Sequence, residues 1–314
     1  MNPAMPLSKS KAATLAGILA IIMWSSNVAV SKTAMNDLGA YSAAYFIYFF
    51  SGILNFFILF AALGKNKLWN HLKDLPLKYY LQTGIFILFN NVFFFLALGL
   101  AKTNEELIIV ALLNYLWPVL ITVFRVPIYR LKVNLFLFYP GIAVAFTGIS
   151  LALLQGYTAY ELLTIAGTLD DNFLAFMFAF MGAVSWAIYS NMIRKYSSKD
   201  DIVALPIIFI LSGMVFAVIQ MIRGDTQSFS LYPLYSNPFL IYTIIGPTCL
   251  GYLFWFFAMK YGNRNFVTSL SYMIPLGSVW LVSLLHSIPV RPMFWVSVVL
   301  LITGALLGVK SVRE

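Results

Sequence analysis

Charged side chains are scarce in this chain. Only 10% of its 314 residues are Asp, Glu, Lys or Arg, whereas a soluble domain carries about 25%. A soluble enzyme and a charge-solvated disordered chain are both excluded on that ground. One cysteine, Cys249, rules out an internal disulfide, and His71 and His286 are too few for a histidine metal site. The sequence also lacks a Gly-x-x-x-x-Gly-Lys-Ser/Thr loop, a His-Glu-x-x-His helix and a Gly-x-Ser-x-Gly turn, so nucleotide-hydrolysing, zinc-peptidase and serine-hydrolase machinery have no foothold.

Apolar residues take up the room, at 61% of the chain. A membrane crossing needs about 20 of them, so the composition fills about ten crossings. Between residues 12 and 309 the apolar runs read as ten helices. A run such as Asn91-Val-Phe-Phe-Phe-Leu-Ala-Leu does not alternate as a barrel strand would. The expectation is an all-α polytopic membrane protein. Only Lys32, Lys102, Arg223 and Arg291, of the 20 basic residues, then fall on the face opposite both tails. That bias puts both termini in the cytoplasm and the chain in the cell inner (plasma) membrane, and it makes the basic balance an orientation signal instead of a nucleic-acid footprint. The first helix is too long for a leader core and is read as retained.

The longest stretch between helices, 155–172, separates an N-terminal five-helix repeat (1–154) from a C-terminal one (173–314). Polar-Tyr-x-x-Pro occurs in both halves, at Asn114-Tyr115-Leu116-Trp117-Pro118 and at Ser271-Tyr272-Met273-Ile274-Pro275. Trp24 and Trp186 sit centrally in the first helix of each half. Five crossings per half force opposite orientations, and inverted repeats around a midplane site are a transporter architecture.

No charged side chain is forced to mid-membrane, which removes the usual markers of proton relays and catalytic centres. Glu105 and Glu106 read as first-turn acids at a helix N-terminus. Trp24, Trp117, Trp186 and Trp255 lie well inside their helices, where an indole N–H needs a partner. Any one of them could serve helix packing alone, but a shared polar cavity would satisfy all four. Asn90, Asn91, Asn114, Tyr115, Tyr189, Tyr252 and Tyr272 lie at similar depth, either as site residues or as interhelical glue. Pro118 and Pro275 have no N–H for the carbonyls of Asn114 and Ser271, so each half gains a kink beside a tyrosine.

At these segments the chain resembles the EamA-type carriers of the drug/metabolite transporter (DMT) superfamily, most closely the YddG-type aromatic amino acid exporters. The resemblance runs through Ala13–Gly17, Trp24-Ser25, Tyr48–Gly52, Ala97–Ala101, Asn114–Pro118, Trp186-Ala-x-Tyr189, Gly262-Asn263 and Ser271–Pro275. It implies ten helices as two inverted five-helix repeats around an aromatic-lined central cavity. The substrate-binding set it implies is Trp24, Asn90, Asn91, Asn114, Tyr115, Trp117, Trp186, Tyr189, Tyr252, Trp255, Ser271 and Tyr272, with Pro118 and Pro275 as gating kinks. Where such exporters carry a Tyr-Glu pair, this chain has Asn90-Asn91, which puts proton coupling and the detailed amino acid preference in question. The implied function is export of aromatic amino acids or related amphipathic metabolites by alternating access. The alternatives are a DMT carrier for nucleobases, nucleosides, sugars or drugs, or a non-transporting receptor or assembly subunit. The expected partners are a small-molecule substrate and the bilayer, without nucleic acid, cofactor, metal or enzymatic activity, and with a monomer as the assembly taken.

Overall fold

The computed structural model describes residues 7–154, 172–195, 201–224, 230–286 and 292–313. Over that range it is helical, apart from a pair of two-residue strands, β1 (Lys132–Val133) and β2 (Val312–Arg313), which pair antiparallel with Lys132 opposite Arg313. The long helices are α1 (Leu7–Leu38), α2 (Ala40–Leu63), α4 (Leu77–Leu100), α5 (Asn104–Asn114) continuing as α6 (Trp117–Tyr129), α7 (Leu135–Leu154), α8 (Phe173–Lys195), α9 (Asp201–Ile222), α11 (Pro238–Tyr261), α12 (Arg264–Leu270) continuing as α13 (Ile274–His286), and α14 (Pro292–Ser311). Two short helices, α3 (Lys65–Asp74) and α10 (Pro233–Ser236), lie between them.

Among the described residues, six segments are long and apolar enough to cross a membrane: Ala40–Leu63, Leu77–Leu100, Ile109–Tyr129, Phe173–Ile193, Asp201–Ile222 and Pro238–Tyr261. At 1.5 Å per residue, a segment of this size spans the ~30 Å hydrocarbon core. Leu135–Leu151 and Pro292–Gly308 are shorter apolar helices. Large apolar side chains such as Phe57, Ile222 and Val299 are more than half exposed, a surface suited to acyl chains and not to water.

Local chemistry fixes the helix ends. Gly39 and Gly64 bracket α2 at φ 74° and 77°, a region that glycine enters without a Cβ penalty. Thr103 caps α5 by accepting the Glu106 N–H at 3.2 Å, and Asn237 and Asn263 cap α11 and α12 in the same way, at 2.9 and 3.1 Å.

Packing pairs the two halves. α2 lies along α9, where a Cβ on Gly52 would come within 2.8 Å of the Ile210 nitrogen. α7 lies along α14, where a Cβ on Gly304 would come within 2.4 Å of the Ala145 nitrogen. Such small-residue seams let helix backbones approach where lipid leaves no hydrophobic drive between helices. The first helix, α1, packs on α11 and α13, while α8 packs on α4, α5 and α6.

Candidate functional site

Two proline-bearing breaks shape the interior. α5 ends at Asn114, Tyr115 and Leu116 form a turn, and helix resumes at Trp117 with Pro118 in its first turn. In the other half α12 passes through a 3-10 turn, Ser271–Met273, before α13 resumes with Pro275 in its first turn. Proline has no N–H to return to the fourth preceding carbonyl, so both breaks fall where the sequence suggests them. A third irregularity is the π-helical stretch Ile244–Leu250 around Pro247 in α11. Single π-turns widen a helix and often mark functional positions.

Between these breaks lies a cavity of about 110 Å3. Its walls are aromatic and amide: Trp24, Asn27, Tyr48, Asn90, Asn114, Tyr115, Trp117, Trp186, Thr248 and Tyr252 take part, with Ile47, Phe94, Phe95, Thr243, Pro247 and Ile274. Among the described residues, no Asp, Glu, Lys, Arg or His takes part in this lining.

The four mid-helix tryptophans meet here. All six pairings among Trp24, Trp117, Trp186 and Trp255 are ring contacts with centroids 5.1–6.2 Å apart. Most are edge-to-face, each worth about 0.5–1.5 kcal/mol beyond its burial. The Trp24 indole donates to the Pro247 carbonyl at 2.9 Å, at the widened turn of α11, and Trp255 donates to Ser190 Oγ at 3.2 Å. The Trp186 N–H is buried and has no partner among the described residues. Tyr252 stacks edge-on against Trp186, with centroids 5.1 Å apart, and gives its hydroxyl to Asn91 Oδ1 at 3.1 Å. Asn91 in turn donates to Ser212 Oγ, also at 3.1 Å. Tyr115 shares a hydrogen with Ser278 at 3.2 Å.

On the side holding Thr14 and the β1–β2 pair, the terminal face, polar contacts tie the helices together below this cavity. Lys260 and Asp201 form an ion pair joining α11 to α9, and Arg125 donates to Asn265 across α6 and α12. The Arg264 guanidinium sits 4.6 Å from the Tyr129 ring centroid, Tyr129 donates to the Asn191 carbonyl at 2.7 Å, and the Asn263 N–H donates to Thr14 Oγ1 at 2.9 Å. These cations sit at helix ends, as the sequence indicates, but Arg125, Lys260 and Arg264 are under one-tenth exposed. On the opposite side, ahead of the span that opens at Ile109, Glu106 accepts from the Lys102 N–H at 2.6 Å and the Asn172 amide at 2.8 Å. Burial alone pushes the Glu106 carboxyl up, but these bonds and the Lys102 charge outweigh it and hold the carboxyl below its ordinary value. The Glu105 side chain lies outside the described residues.

Of the twelve residues singled out for binding, Trp24, Asn90, Asn114, Tyr115, Trp117, Trp186 and Tyr252 line the cavity. Asn91 stands behind them, holding Tyr252. Trp255 and Tyr189 are fully packed beneath, touching Trp186. Ser271 is fully buried, with its hydroxyl given to the Thr268 carbonyl at 2.6 Å, and Tyr272 lines a separate small cavity on the terminal face. Pro247 and Thr248 escape the sequence reading, although a proline inside a long apolar run was the available signal.

Two aromatic amino acid exporters named YddG are each 27% identical to this chain. That of Escherichia coli K12 aligns over 96% of this chain and 98% of its own length, and that of Salmonella typhimurium 14028s over 97% and 99%. A protein of known crystal structure superposes with a TM-score of 0.74 over 95% of this chain and 97% of its own, at 21% identity, which shows a shared fold. The EamA-like transporter family matches residues 11–154 and again 173–309. The chain therefore belongs to the EamA-like transporter family, and it is a transporter, not an enzyme.

Proposed function

We propose that this chain is an inner-membrane secondary transporter that exports aromatic amino acids, or similar amphipathic metabolites, by alternating access. The observation that carries the reading is the indole-walled cavity with its idle Trp186 N–H and its amides. Flat aromatic faces stack a ring, and a desolvated ammonium over an indole gains about 2 kcal/mol. The Asn90 and Asn114 amides and the Trp186 N–H supply donors for a carboxylate. With no acid or base among the described lining residues, the reading favours facilitated flux or exchange over strict proton coupling.

The ten-crossing, inverted-repeat reading draws support from reciprocal packing. The first helix of each half lies on the third and fourth spans of the other, the second spans pair with each other, and so do the fifth. The family match also falls twice, over 11–154 and 173–309. Cavity residues come from beyond the midpoints of α1 and α4 but from before that of α2, which places the cavity toward the face opposite the termini. With the termini in the cytoplasm, this is an outward-open, inward-sealed state.

Counterflow in proteoliposomes loaded with unlabelled substrate tests the reading. Labelled tryptophan or phenylalanine should accumulate transiently, and nucleobases, nucleosides or sugars should not. Counterflow by one of the latter alone would replace the aromatic amino acid reading with a carrier of that class.

A further inference from the structure

A second cavity, of about 20 Å3, lies on the terminal face between α6, α12 and α14. It has room for about one water-sized body, and its chemistry is one-sided. Arg264 is 7% exposed, and its Nε and Nη1 have no partner among the described residues. One turn along α12 the Thr268 hydroxyl, equally buried, has none either. Arg125, which also donates to Asn265, lines the cavity from α6, and among the described residues no Asp or Glu does so. A buried guanidinium with idle donors is destabilising unless something accepts from it. Its planar fork matches a two-oxygen anion.

One face of α6 serves both this place and the indole cavity. Trp117, Ile121 and Arg125 follow each other at four-residue steps along α6, about 6 Å apart on one face. Trp117 walls the upper cavity, and Ile121 and Arg125 wall the lower.

We propose that Arg264, with Thr268 and Arg125, forms an oxyanion site that receives the carboxylate of a substrate approaching from the terminal face, ahead of the indole cavity. The oxyanion class rests on the lower cavity alone; that its bearer is an amino acid rests on the function proposed above. The water-sized room belongs to the sealed state, and the carboxylate seats as that face opens.

Two arms test it on the full-length chain. In detergent, thermal unfolding is followed with acetate, inorganic phosphate or methylammonium at matched ionic strength. Acetate should stabilise the wild type and methylammonium should not. Arg264→Gln should unfold at a higher temperature without anion, because an unpaired buried charge is gone, and should need at least about tenfold more acetate for the same shift. In proteoliposomes, Arg264→Gln should raise the half-saturating tryptophan concentration at least about tenfold while leaving tryptamine, which lacks the carboxylate, unchanged. A variant that melts lower and keeps its acetate response would make Arg264 a mere prop on Tyr129 and overturn the site. Phosphate outperforming acetate would assign it to free phosphate or a lipid headgroup and overturn the carboxylate. If the wild type carries neither aromatic compound, the transport reading fails, and the acetate arm still decides the site.

Discussion

Removing the acid of the Lys260–Asp201 pair should unlock the terminal face. Both partners are buried, at 8% and 0% side-chain exposure, and they tie α11 to α9. In Asp201→Asn the buried Lys260 loses this carboxylate, and breaking a buried ion pair costs about 3–5 kcal/mol. That penalty applies only while the face is sealed, since opening hydrates the ammonium. At about 1.4 kcal/mol per decade, the sealed-to-open ratio falls roughly 100-fold or more. The assay is thiol labelling of Ser269→Cys, which lines the lower cavity, in a Cys249→Ala background with an impermeant maleimide applied from the terminal side. Labelling should accelerate by about two orders of magnitude in Asp201→Asn. It should return near the wild-type rate in Asp201→Leu/Lys260→Met, because an apolar pair of similar size is neutral or stabilising. Equal rates in all three proteins would refute the pair as a latch, and a double variant as fast as the single one would refute the buried-charge reasoning.

Other consequences are as direct. A Cβ on Gly251 would lie 2.8 Å from Trp24 Nε1, so Gly251→Ala should push the indole off the Pro247 carbonyl, destabilise by about 1–3 kcal/mol and lower the melting temperature. Trp186→Phe deletes an N–H that has no partner among the described residues together with part of a buried ring, so the ligand-free protein should melt lower by the packing loss alone, about 1–3 kcal/mol, while aromatic amino acid affinity in equilibrium binding falls about fivefold. The Glu106 carboxyl is depressed, so the stability it contributes is present above the ordinary carboxylate value and lost as pH falls through its folded-state value. In melts across that range, the gap between wild type and Glu106→Gln should be level on the neutral side and close in acid.

Much of the fold was legible because lipid leaves the chain few choices: apolar runs must be helices, and a proline cannot return an N–H to the turn before it. The breaks at Tyr115 and Ser271 precede Pro118 and Pro275, as the sequence suggests, whereas Pro127 and Pro140 sit in helices that run on unbroken. That the four mid-helix indoles meet was readable from depth, since isolated N–H groups in hydrocarbon are unfavourable. The fates of Tyr115 and Tyr272 were not readable. Their motifs match, yet Tyr115 faces the large cavity and Tyr272 the small one, because the helices packed against the two breaks differ. Arg125 and Arg264 look like ordinary loop cations in sequence, and only tertiary packing of α6 against α12 buries them. The proline signals the irregular turn at Pro247, but the Trp24 N–H that its carbonyl accepts comes from 223 positions away, beyond any local pattern.

The most direct single measurement is substrate protection of Asn114→Cys, on the wall of the large cavity, in the Cys249→Ala background. An impermeant maleimide applied from the face opposite the termini should modify it, and saturating tryptophan, but not lysine, should slow the reaction. A thiol that is unreactive from that face, or one that reacts equally fast with and without tryptophan, would contradict an outward-open, aromatic-binding cavity.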